Sequence, residues 1–258
     1  MMRFLSKVIR VLYVIWASCW FIGIMLLILP FIVLASFLGR ITGGNVIYYF
    51  LWFWSRTWFP LVGMFVKKTY VGDHSDKSSM MYAVNHTSYL DAALAVGQVR
   101  LPFRPLGKIE MQKIPLFGFI YKHAVVTVDR SSARDRVLSV RKMIDTLKQG
   151  VSILIFPEGS TNTTGQPLMP FHNGAFKIAI ETQTDIKPIL FLDNIDRFPE
   201  GKGLLALNPG RVRIVYLPAI SVKGLTIADQ NTLKQQVYDV MEAALRQYRT
   251  YPEIPVQA

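Results

Sequence analysis

Cys19 is the only cysteine in this 258-residue chain. An intramolecular disulfide and a cysteine-ligated metal cluster are therefore excluded, and nothing demands an oxidising compartment. Cys19 sits inside an apolar run and reads as a small hydrophobe. Acidic residues are absent from about the first quarter of the chain. As far as Lys68 there are seven basic groups (Arg3, Lys7, Arg10, Arg40, Arg56, Lys67 and Lys68), and all 17 acids lie beyond. A net charge of +12 raises nucleic acid as a partner. The chain has no tight Lys/Arg run, zinc-finger spacing or RNA-binding signature, so that partner is set aside. A Gly-x-Ser-x-Gly elbow is missing too, which removes a serine hydrolase. Internal repeats and low-complexity segments are also absent.

What the chain has in excess is apolar surface: 51% of its residues are hydrophobic and its mean hydropathy is +0.29. Val11 to Leu38 carries no charged side chain. As one helix this run is ~42 Å long, more than the roughly 30 Å hydrocarbon core, so tilt or a break near Pro30 must absorb the difference. It exceeds the apolar stretch of a signal peptide and ends without a small-residue cleavage site, so it reads as retained. A second stretch, Val46 to Val66, is rich in aromatics and interrupted by Arg56 and Pro60. That composition suits an interfacial segment or a hairpin partner with Gly43-Gly44 near the turn. Basic residues beside apolar segments favour an anionic membrane surface.

From Tyr70 the texture becomes an α/β alternation. Strands are expected at Met80–Val84, Val125–Val128, Val151–Phe156, Ile189–Leu192 and Val212–Leu217. Helices are expected at Ser88–Val96, Ile109–Tyr121 (broken by Pro115), 133–149, His172–Glu181 and Asp229–Arg249. The 133–149 helix has Ser132 and Asp135 as a capping box and Gly150 as its stop. The implied fold is α/β: a mixed, largely parallel sheet flanked by helices, preceded by an N-terminal membrane-embedded helical segment. Residues 1–68 form the expected membrane-anchoring helices and 69–258 the α/β domain.

Chemistry-bearing residues cluster where strands end. His86 follows the first expected strand, and Asp91 lies five residues on, inside the next helix. If His86 bends back, its Nδ1–H meets the Asp91 carboxylate, which leaves Nε2 as a base for an attacking hydroxyl. The alternative is that Ser88-x-x-Asp91 is merely a capping box. Phe156-Pro157-Glu158-Gly159-Ser160 turns sharply after another strand and brings a carboxylate to the same sheet edge. Asp129-Arg130 closes a third strand, where an Arg either clamps a phosphate or pairs with a surface acid. Lys108-Ile109-Glu110 opens an amphipathic stretch with a basic end.

Jointly these pieces resemble the glycerolphosphate acyltransferase superfamily, and most closely its 1-acylglycerol-3-phosphate acyltransferase branch. The carriers are His86 and Asp91 with the preceding Asn85, Arg130, Phe156 to Ser160, Lys187-Pro188-Ile189, and Lys108, Glu110, Ile114, Pro115 and Gly118. The resemblance implies a fatty acyl transfer from acyl-CoA or acyl-carrier protein to a lysophospholipid hydroxyl, with no metal, no cofactor and no covalent acyl-enzyme. It makes His86 the general base and Asp91 its partner. Arg130 and Lys108 would hold the acceptor phosphate; Asn85, Glu158, Gly159 and Ser160 would line the substrate site. It also implies a membrane location, the bacterial inner membrane, with the catalytic domain facing the cytoplasm.

One departure matters. Thr161-Asn162 stands where many phosphatidic-acid-forming members continue with Arg and Ser, so a cation near the phosphate is missing. Another lyso-lipid acceptor therefore stays open as an alternative, and so does a non-catalytic lipid-binding protein.

Overall fold

The computed structural model describes residues 2–72, 78–99, 101–115, 117–129 and 131–251. Its uncharged run forms a single helix, α1 (Met2–Ser36), that continues through Pro30. The chain reverses at a π-helical turn, Gly39–Gly43, and returns as α2 (Gly44–Leu61). The interruption thus falls where glycine permits it, with Gly39 at φ +81°, rather than at the proline. The two helices are joined by indole bonds: Trp58 Nε1 donates to the Ala17 carbonyl at 2.9 Å and Trp54 Nε1 to the Phe21 carbonyl at 3.2 Å. These indoles satisfy their N–H groups in apolar surroundings.

The remaining elements are, in order, β1 (Met64–Tyr70), β2 (Met81–Val84), α3 (Leu90–Gln98), β3 (Phe103–Lys108), a 3-10 turn (Ile109–Lys113), α4 (Phe117–Ala124) and β4 (Val126–Val128). Then come α5 (Ala133–Lys148), β5 (Ser152–Ile155), α6 (Gly174–Thr182), β6 (Ile186–Phe191), α7 (Asn194–Arg197), β7 (Gly210–Tyr216) and α8 (Gln230–Tyr248). The seven strands form one sheet in the order β1-β7-β6-β2-β5-β3-β4. Strands β6, β2, β5, β3 and β4 run parallel, while β7 pairs antiparallel to β6 and β1 lies parallel to β7. This is the mixed, largely parallel sheet expected from the alternation.

The central strands β2, β5 and β6 are buried along their whole length because both faces of the sheet are covered there. Side chains alternate between two cores with the strand period of two. Tyr82, Val84, Leu154 and Ile189 join Ile47, Trp54, Trp58 and Leu94 on one side. Met81, Ala83, Ile153 and Leu190 meet Phe176, Met241 and Leu245 on the other. The helical hairpin is therefore one of the layers that cover the sheet. Tyr48 and Ser55 of α2 bond the Val99 and Ala93 carbonyls, both at 2.7 Å.

Two strands run where sequence pattern shows none. Strand β1 hides behind the aromatic stretch and carries Lys67 and Lys68, and the boundary expected at 68/69 falls inside it. Strand β3 contains Pro105, ordinarily a mark against a strand. It is tolerated because β4 pairs with β3 only from Leu106 onward, so no ladder bond is lost on that side.

The hairpin turn yields a stability test. A Cβ on Gly43 would collide with the Ala35 backbone carbonyl, whereas one on Gly23 meets nothing within 4 Å. Gly43→Ala should cost about 1–3 kcal/mol, because backbone must move. Gly23→Ala should be neutral or slightly stabilising. Thermal unfolding in detergent compares them, and equal midpoints would show that the turn is looser than described.

Candidate active site

Because five strands run parallel, their C-terminal ends share one edge, where open α/β sheets bind ligands. His86 follows β2 there, Glu158 follows β5, and Lys108 ends β3. Asp91 sits in the first turn of α3 and is 0% exposed.

Asp91 is held by hydrogen bonds on both oxygens. Oδ2 faces His86 Nδ1 at 2.8 Å and accepts the backbone N–H groups of Thr87 (2.6 Å) and Ser88 (2.9 Å). Oδ1 accepts Asn194 Nδ2 at 2.6 Å. A carboxylate meeting only donors stays acceptor-only, so Nδ1 carries the imidazole proton and Nε2 keeps its lone pair. The capping alternative is realised only in part. Asp91 takes the Ser88 N–H, but the Ser88 hydroxyl serves the Phe198 carbonyl and the Leu90 N–H instead of the Asp91 N–H.

The imidazole is fixed from its face and its far edge as well. The Phe156 ring stacks on it at 4.1 Å, with 18° between the planes. The Thr161 hydroxyl lies 3.1 Å from Nε2, where it donates to the lone pair. Thr161 thus occupies the position that an attacking hydroxyl must take. This contact, the Phe156 stack and the Asn194 bond were not read from the sequence. Asn194 lies 103 residues from Asp91, and no local pattern signals it.

The other expected site residues divide between support and surface. Asn85 is buried and clips β2 to β6, donating to the Phe191 carbonyl (3.0 Å) and accepting the Phe191 N–H (2.7 Å). Glu158 is only 2% exposed. Its two oxygens accept the backbone N–H groups of His86 (2.9 Å) and Met169 (2.8 Å), so it holds the His86 main chain. Gly159 has φ +74°, and a Cβ there would strike the His172 ring, so this turn requires glycine. Ser160 is exposed beside it, and Lys108 is exposed at the end of its strand. Arg130 lies outside the described residues, immediately after Asp129. Among the described residues no group of three or more His, Cys, Asp or Glu is placed to hold a metal ion.

A family profile described as Acyltransferase matches residues 65–192. The 1-acyl-sn-glycerol-3-phosphate acyltransferase alpha of Mus musculus is 31% identical over 185 residues, 69% of this chain and 64% of that protein. The 1-acyl-sn-glycerol-3-phosphate acyltransferase of Salmonella typhimurium is 29% identical over 165 residues, 63% of this chain and 65% of its own length. The chain therefore spans just under two thirds of each of these relatives. The crystal structure of the 1-acyl-sn-glycerophosphate (LPA) acyltransferase PlsC from Thermotoga maritima superposes with a TM-score of 0.73. That likeness covers 95% of this chain and 100% of that one at 20% identity, and it shows the shared fold.

Glu158 supplies a test independent of kinship. Burial pushes its carboxyl from 4.5 up to about 7, against the lowering effect of the Met169 and His86 N–H bonds. The native state then binds this proton more tightly than the unfolded chain does. Its contribution is fully present below about pH 4.5 and is lost as pH rises through about 7. The loss should reach about 3 kcal/mol across that window. Denaturant unfolding at a series of pH values should show this slope in the parent protein and not in Glu158→Gln. An unchanged slope would mean that Glu158 is ionised throughout.

Proposed function

Since this chain belongs to the acyltransferase family, we propose that it moves a fatty acyl group from acyl-CoA or acyl-carrier protein to the free hydroxyl of 1-acylglycerol-3-phosphate, giving phosphatidic acid. The observation that carries this reading is the pairing of buried Asp91 with His86 Nδ1 at 2.8 Å, which leaves Nε2 within reach of a hydroxyl, as Thr161 shows.

The acceptor hydroxyl displaces Thr161 from Nε2 and gives up its proton there as its oxygen attacks the thioester carbonyl. The Asp91 carboxylate stabilises the imidazolium so formed. When the tetrahedral intermediate collapses, the C–S bond breaks and His86 returns the proton to the departing thiolate. The products are an ester and a free thiol, and no acyl-enzyme forms. Lys108, at the end of β3, and Arg130 are the cations proposed to meet the acceptor phosphate. Thr161, an uncharged residue directly on Nε2, favours a second reading in which the acceptor is another lyso-lipid carrying less charge.

The reaction needs a membrane-facing enzyme, because a single-chain lyso-lipid resides in a bilayer while its thioester donor is soluble. Phe4–Ser36 is long and apolar enough to cross a membrane. Yet the hairpin turn rests against β3, with Arg104 bonded to the Ile41 carbonyl at 3.2 Å. A turn tied to the catalytic sheet supports embedding in one leaflet rather than a spanning hairpin. The exposed face of α1, including Leu12, Leu27, Phe31 and Leu34, would then enter the lipid. The proposed location is the bacterial inner membrane with the sheet edge on the cytoplasmic side, where Arg10, Lys67 and Lys68 belong by the positive-inside rule.

With one labelled acyl-CoA and a panel of lyso-lipids, the purified protein should acylate lysophosphatidic acid fastest. His86→Ala should lower turnover by about 10²–10⁴-fold while the fold is kept. Near-parental transfer by His86→Ala would sink the mechanism, and faster turnover of a zwitterionic acceptor would favour the second reading. No acylation of any acceptor would leave a lipid-binding protein.

The membrane reading has its own check. Leu27→Glu with Leu34→Glu changes only exposed positions of α1, so it should release the protein from neutral vesicles in a flotation assay. Undiminished flotation would show that another surface binds the bilayer.

A further inference from the structure

The hairpin turn closes over a cavity of about 190 Å³ between α1, α2, β3 and α4. Four of its lining residues are Arg40, Arg104, Lys122 and His123, and among the described residues no carboxylate lines it. Among the described residues none of the four takes part in an ion pair with an acid. At ~30 Å³ per water the space holds on the order of six waters, enough for a polar ligand.

Arg104 is the unusual member. It is 4% exposed, and three of its five N–H donors reach neutral acceptors: the Phe103 carbonyl (3.2 Å), the Ile41 carbonyl (3.2 Å) and Asn45 Oδ1 (2.8 Å). Nε–H and one Nη1–H remain. Burial, with Arg40 close by, draws the Arg104 guanidinium down to about 10. Like charges gathered in a partly closed cavity without an acid are costly unless an anion joins them.

Two features say which anion. Arg104 lies four residues before Lys108 on β3, roughly 13 Å back from the catalytic edge at ~3.3 Å per residue. The cavity is therefore separate from the place where an acceptor reacts. Ser36, at the end of α1, lines the cavity, and the exposed apolar face there includes Leu34 at 66% and, just past the helix, Phe37 at 81% exposure. A phosphate held by Arg104, Arg40 and Lys122 would have its attached chains laid along that face.

We propose that this cavity binds the phosphate headgroup of an anionic phospholipid, a site that anchors the hairpin turn to the leaflet surface. The proposal does not rest on acyl transfer and stands if the chain catalyses nothing.

Titration calorimetry of the full chain in neutral detergent tests it, with short-chain phosphatidylglycerol and inorganic phosphate as separate probes. Arg40 and Lys122 are exposed, so Arg40→Gln with Lys122→Gln should fold normally. This pair should weaken lipid binding by about tenfold or more, the loss of two charge-assisted contacts. Lys142→Gln with Lys223→Gln removes the same charge from remote exposed positions and should leave the Kd unchanged, as should Lys108→Ala at the catalytic edge. Inorganic phosphate should bind more weakly than the lipid and respond to the same pair. Equal weakening in both double variants would reduce the effect to bulk charge. A loss confined to Lys108→Ala would put the lipid at the catalytic edge. Phosphate binding as tight as that of the lipid would assign the cavity to a soluble anion. Each of these three outcomes overturns the proposal.

Discussion

The candidate site depends on one buried carboxylate. Asp91 is closed to water, and its oxygens meet four donors: the imidazole, two main-chain N–H groups and the Asn194 amide. An isolated carboxylate in such a place would be strongly disfavoured, and it is tolerated because both of its oxygens are hydrogen-bonded. That same set of donors dictates the tautomer of His86, and so where its basic lone pair points. Glu158 works one layer out, fixing the His86 main chain to the β5 turn, so strands β2 and β5 deliver the site as a unit. Asp91 faces an imidazole and three amides, whereas Glu158 meets two backbone N–H groups, and burial raises its carboxyl despite them.

The helical hairpin has two roles in the fold. Its inner side completes the core on one face of the sheet, through Ile47, Trp54, Trp58 and Phe59. Its outer side leaves Leu12, Leu27 and Leu34 exposed. A helix that contributes core residues cannot be removed as a detachable anchor. The distance from the apolar face to the sheet edge is therefore set by packing instead of by a linker. That rigidity suits the proposed reaction, whose lyso-lipid and thioester would come from different phases.

Much of this was legible from the residues alone. The parallel sheet followed from strands alternating with helices. The His86–Asp91 contact followed from a five-residue spacing across a strand–helix junction. Ser132 does accept the Asp135 N–H, as the capping pattern implied. What stayed hidden was non-local or disguised. Strand β1 was masked by the apolar stretch before it, and β3 by a proline whose ladder position is unpaired on one side. Asn194 and Thr161 reach the dyad from 103 and 75 residues away in sequence. The structure also moved two expected substrate contacts inward, since Asn85 and Glu158 spend their polar atoms on main-chain groups.

The account stands or falls on the protonation of one ring. Nitrogen-15 spectroscopy of imidazole-labelled protein, with the His86 signals assigned by substitution, reads the two ring nitrogens separately. The account predicts, at a pH where the ring is neutral, a proton on Nδ1 and an unprotonated Nε2 that accepts from Thr161. A resting enzyme with its proton on Nε2 would contradict it, because the nitrogen facing the sheet edge would have no lone pair with which to take a proton.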